Sequence, residues 1–160
     1  MPKLSPYRSL PVDRRVGLVS HAIQASREGR DLFVQRLVAR GGGFRAVALK
    51  TWPIDRLARE IVRTKAESAS DELDLLQLLY VDLEPSIQTT FLDAAGVQHE
   101  GGKIPESLVA PYADADSVRR AAAVVRDRHG ADGEHYLRTI ARYSLDGWPG
   151  IDAVVAERDG

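Results

Sequence analysis

The chain has 160 residues, 22 Lys/Arg against 23 Asp/Glu, and no cysteine. That length suits a single domain with a real core, and the lack of thiols excludes disulfides, thiolate metal sites and cysteine nucleophiles. No stretch approaches the roughly 18 consecutive apolar residues of a bilayer span, and Met1–Leu10 lacks the apolar core of a signal peptide, so the expectation is a cytoplasmic protein without a membrane partner.

Val12–Arg27 reads as a first helix, with Pro11 at its opening, Val12, Val16, Val19 and Ile23 on one face and Gly29 as its stop. Asp31–Arg40 reads as a short second helix with Leu32, Phe33, Leu37, Val34 and Val38 turned inward, ended by Gly41-Gly42-Gly43. Phe44–Trp52 alternates like a strand, yet its alanines suit a helix equally, and the pattern leaves both open. Ile54–Ala66 is the clearest helix, because Ile54, Leu57, Ala58, Ile61 and Val62 follow the i, i+3, i+4, i+7, i+8 rule.

Asp71–Leu83 follows, with Ser70 as its expected N-cap and leucines around most of its circumference, the pattern of a central helix. Pro85 opens a helix over Ser86–Ala95, which Gly96 ends. Val97–Ile104 has a hairpin-like turn at Gly101-Gly102, and Pro105–Tyr112 is a helical turn or a linker. Asp114 or Asp116 caps a helix that runs through Arg128, burying Val118, Ala121, Ala122 and Val125. Gly130 and Gly133 then bracket a turn before the last strong helix, Glu134–Leu145, and Ile151–Gly160 is a short helix or a frayed end. The predicted fold is all-α, a compact bundle of six or seven helices with short loops and at most a minor β-hairpin. It is expected to form one domain over residues 1–160, with a subdivision at 66–70.

Charge is unevenly placed along the chain. Residues 1–65 carry 14 Lys/Arg against 5 Asp/Glu, a net +9, whereas residues 66–116 carry 1 against 11, a net −10. Either the two segments satisfy each other, within one molecule or between copies, or the basic one faces a polyanion. Arg36, Arg40, Arg56, Arg59 and Arg63 are the candidate contacts for a nucleic acid or an acidic protein partner. A DNA-binding helix-turn-helix at Ile54–Lys65 meets the objection that the next helix is acidic and apolar, and belongs in a core.

Chemistry-bearing patterns are few. The Gly41–Gly43 run lacks the spacing of a phosphate-binding loop, since Leu49 stands where glycine must precede Lys50-Thr51. His129, Asp132, Glu134 and His135 crowd one glycine-containing turn and are the candidate metal ligands of a metal-dependent enzyme, with His99-Glu100 on another loop. Their spacing straddles a turn instead of lining one helical face as in H-E-x-x-H. Ser20-His21 has no nucleophile elbow around it. Tyr136 and Tyr143 stand on one face of the last helix, either as a partner-binding stripe or packed on their neighbours. The favoured reading is a non-catalytic helical interaction or assembly module without a cofactor. It would bind a protein partner or form a homo-oligomer, self-associating through its basic and acidic segments. Nucleic-acid binding and metal-assisted catalysis are the rivals.

Overall fold

The structure, a computed structural model, describes Lys3–Asp159, and over these residues it is all-α, with eight α-helices and no strand. The two segments whose helicity was open, at 44–52 and 151–160, supply the short α3 (Ala46–Lys50) and α8 (Ile151–Ala156). The expected hairpin at Gly101-Gly102 is reduced to one antiparallel bridge between Glu100 and Lys103. The chain divides into two units, one ending at Leu78 and one beginning at Leu79.

The first unit holds α1 (Val12–Ala25), α2 (Arg27–Ala39), α3, α4 (Ile54–Thr64) and α5 (Ala69–Gln77). Its core is Leu18, Val19 and Ile23 of α1, Phe33, Val34 and Leu37 of α2, and Leu57, Ala58, Ile61 and Val62 of α4, with α1 lying on both α2 and α4. Gly29 does not stop α1: Ser26 breaks the helix in extended conformation, and its hydroxyl accepts the Gly29 N–H at 2.9 Å, which places Gly29 inside the first turn of α2. Leu32 and Val38, expected inside, are 38% and 40% exposed, because the buried stripe of α2 is the narrower Phe33–Val34–Leu37 face.

The N-cap of α5 is Ser68, not Ser70. Ser68 Oγ accepts the Asp71 N–H at 3.1 Å and the Asp71 carboxylate accepts the Ser68 N–H at 2.8 Å, a reciprocal capping box that satisfies two donors at once. The start of the acidic segment belongs to this basic unit. Arg36 meets Asp71 at 3.1 Å, and Arg8 meets Glu67 at 3.5 Å and Glu72 at 3.6 Å. Glu67 and Asp71 are both buried, so opposite charges meet within one molecule here.

After a π-helical stretch, Leu78–Leu83, in place of the straight helix expected to Leu83, the second unit holds α6 (Pro85–Ala95), α7 (Ala115–Tyr143) and α8. Helix α7 packs against α6 and α8. Asp114 caps it by accepting the Ser117 N–H at 2.7 Å, and these hydrogen bonds hold the Asp114 carboxyl below its ordinary value. The helix is broken at Gly130, whose φ of 56° and ψ of −127° interrupt the hydrogen-bond ladder. Its second half begins before Glu134, with Gly133 buried against the end of the first half. Arg126 ties the pieces together: it pairs with Glu134 beyond the break and donates to the Val154 carbonyl of α8 at 2.9 Å.

Candidate functional site

The five arginines singled out for binding are all engaged within the first unit. Arg36 donates to buried Asp71, Arg40 to the Lys65 carbonyl, and Arg59 pairs with Asp55 at 3.1 Å along α4. Arg56 lies over the Trp52 ring, 3.8 Å from its centroid. Arg63 binds Glu60 through both Nε and Nη2, and those bonds hold the Glu60 carboxyl below its ordinary value. Arg40 and Arg63 share a groove of about 300 Å³ with Gly42 and Phe44, whereas Arg36, Arg56 and Arg59 do not line it.

The four candidate metal ligands lie around the α7 break without converging. His129 Nε2 is 3.1 Å from Thr90 Oγ1, His135 Nδ1 shares a hydrogen bond with the Tyr80 hydroxyl, and Glu134 is held by Arg126. Asp132 is exposed. His99 is occupied on its own loop, with Nε2 2.6 Å from Asp93 and Nδ1 accepting the Gly102 N–H at 3.0 Å. Among the described residues no group of three or more His, Asp or Glu side chains is arranged to hold a metal ion. The ligand types in this turn meet a chemical need of another kind, tying α6 and the π-helical stretch to α7.

A different site emerges in the second unit. Phe91 of α6 meets Trp148 edge-on at 4.8 Å and Tyr136 of α7 at 5.7 Å, and Tyr112 tilts against Trp148 at 5.3 Å. Tyr112 is held there by its N–H, which donates to the Gly147 carbonyl at 3.0 Å. Its ring lies so close to Gly147 that a Cβ at that position would come within 2.7 Å of it. Beside this cluster opens a pocket of about 380 Å³ walled by Tyr112, Tyr136, Tyr143 and Trp148. That volume is within the about 300–1,000 Å³ typical of ligand sites.

The polar side chains that line the pocket are Gln88, Ser144, Asp146 and the three tyrosines. Gln88 is tied to the Gly102 carbonyl, but Asp146 is exposed and makes no hydrogen bond or ion pair with a described residue. Tyr136 is only 3% exposed, and its burial, with Tyr80 beside it, pushes its phenol above the ordinary value. Its hydroxyl makes no hydrogen bond with another described residue, and the residue is one of those lining the pocket. Directly beside the lining residues Ala110 and Ser144 in the chain stand Val109, 81% exposed, and Leu145, 45% exposed.

Tyr136 and Tyr143, on one helical face by their spacing, both line this pocket, Tyr136 packed against Tyr80 and Phe91 and Tyr143 exposed. Tyr112, Asp146 and Trp148 arrive from other segments, and no local pattern connects them. No family model, curated protein or solved structure matches this chain. Among the described residues no helix is long and apolar enough to cross a membrane.

Proposed function

We propose that this chain is a non-catalytic helical interaction module that binds a protein partner at the aromatic pocket of its second unit. The observation that carries the reading is the pocket itself: three tyrosines and a tryptophan around an open concavity, with the exposed Val109 and Leu145 adjacent in the chain to residues that line it. Tyrosine and tryptophan present broad rigid surfaces with one polar tip, and they dominate the energetic centres of protein interfaces. Exposed apolar groups such as Val109 and Leu145 are stabilised when a partner covers them.

The rival readings draw less support from the same geometry. A nucleic-acid surface asks for arginines free to meet phosphates, and the five named ones already have partners in the fold. Self-association through opposite charge, part of the same expectation, draws less support from the start of the acidic segment, where Glu67, Asp71 and Glu72 are matched by Arg8 and Arg36.

The test is affinity purification of the intact chain from its own cells, beside a Tyr143→Ala/Leu145→Ala variant, with light scattering on the eluted species. The expected result is a complex of fixed stoichiometry with the wild type and free chain with the variant, both having the same helical circular dichroism. Equal recovery of the same proteins by both chains would sink the proposal. So would a homo-oligomer insensitive to the substitutions, or salt-sensitive nucleic acid in place of protein.

A further inference from the structure

We infer that the pocket receives a basic side chain of the partner, an arginine or lysine whose alkyl stem lies along the aromatic wall and whose cationic head meets Asp146. This rests on the docking reading above and adds the chemistry of what docks. The first ground is electrostatic. No lysine, arginine or histidine lines the pocket, and the one charged group that does, Asp146, is unpaired. Arg142, the cation nearest to it in sequence, makes no ion pair with it. The segment over residues 104–114, which contributes Ile104, Ala110 and Tyr112, carries Glu106 and Asp114 and no basic residue, with Lys103 directly before it and outside the lining.

The second ground is the nature of the wall. Aromatic faces carry a negative quadrupole and attract cations within about 6 Å of the ring centroid. Arginine and lysine have the matching build, an apolar stem that buries well and a head that stays at the wet edge. An anionic side chain would meet Asp146 as a like charge. A purely apolar one would leave the Asp146 carboxylate unmatched, whereas a guanidinium or ammonium N–H donates to it.

The experiment is a nuclear magnetic resonance titration of the full chain, following the Trp148 indole and the amides of 144–147. The probes are n-butylguanidinium, n-butanol, butyrate, tetramethylammonium and a capped Ala-Arg-Ala tripeptide. Saturable shifts are expected with n-butylguanidinium and at least as tightly with the tripeptide, with butanol and butyrate clearly weaker. Asp146→Asn should weaken n-butylguanidinium about fivefold, the upper range for one exposed ion pair. Equal binding of butanol and n-butylguanidinium, or no effect of Asp146→Asn, overturns the cation inference and leaves the docking reading standing. Tight tetramethylammonium binding with the tripeptide excluded overturns it in favour of a free small-molecule site. Silence from every probe also overturns it, while co-purification judges the docking reading separately.

Discussion

Asp71 serves two partners at once: its carboxylate accepts the Ser68 N–H at 2.8 Å and the Arg36 Nε–H at 3.1 Å. Asp71→Ala removes both and leaves the first turn of α5 without its reciprocal cap. The expected loss is about 2 kcal/mol, one cap and one charge-assisted bond. Ser68→Ala should cost about 1 kcal/mol, and Ser70→Ala should stay within about 0.5 kcal/mol. Urea denaturation of the three variants checks the order. Equal costs for the two serines would contradict the cap.

Tyr7 gives the first unit an alkaline limit. Its ring is fully buried and its hydroxyl donates to Glu67; burial first, then that carboxylate, push the phenol well above its ordinary value. A phenol whose folded value is raised contributes stability that is whole below about pH 10, where the unfolded chain begins to ionise. Above that the unfolded state loses the proton and the folded state keeps it, so stability falls by about 1.4 kcal/mol per pH unit for this group. Tyr7→Phe should be less stable at neutral pH, and its gap from the wild type should narrow as pH rises past about 10. Circular dichroism melts across that range give the comparison, and a constant gap would refute the assignment.

The two glycines of the α7 break should fail differently. At Gly130 an added Cβ meets nothing within 4 Å, so Gly130→Ala suffers only from its positive φ, at about 1–3 kcal/mol. At Gly133 the same atom would lie 2.5 Å from the Val125 carbonyl oxygen, and the backbone must move. Gly133→Ala is therefore expected to cost more and to disturb the Arg126–Glu134 pair, seen as wider amide shift changes on both sides of the break.

Trp148 holds the aromatic cluster together, whereas Tyr143, 37% exposed, stands at its edge. Trp148→Ala should cost about 3–5 kcal/mol, and Tyr143→Ala less than about 1 kcal/mol. Thermal unfolding of both variants checks this. A large loss from Tyr143→Ala would mean that it packs as core and is unsuited to separating binding from stability.

Much of the helical content was legible because α4 and α7 repeat their apolar residues at the helical period, and Leu57, Ala58 and Ile61 or Val118, Ala121 and Ala122 are all buried. Boundaries were less so. Ser68 and Ser70 are equally good caps by residue type, and only the reciprocal bond from Asp71, placed three residues after Ser68, decides between them. The arginine partners were illegible because Arg36–Asp71 and Arg8–Glu67 join distant segments. Burial of Tyr136 and Trp148 could be guessed from their types, but not that Tyr112 and Asp146 would flank them.

The chain has two tryptophans, and each unit holds one. Trp52 is half-buried under Arg56 and edge-on to Phe44 at 5.1 Å; Trp148 is enclosed by Phe91 and Tyr112. Their indoles sit in media of different polarity, so their emission maxima should differ, and Trp52→Phe or Trp148→Phe leaves a single reporter for the other unit. The molecule therefore carries its own pair of fluorescent gauges. Coincident transitions would mean that one equilibrium constant describes its unfolding, and separated ones that each unit has its own.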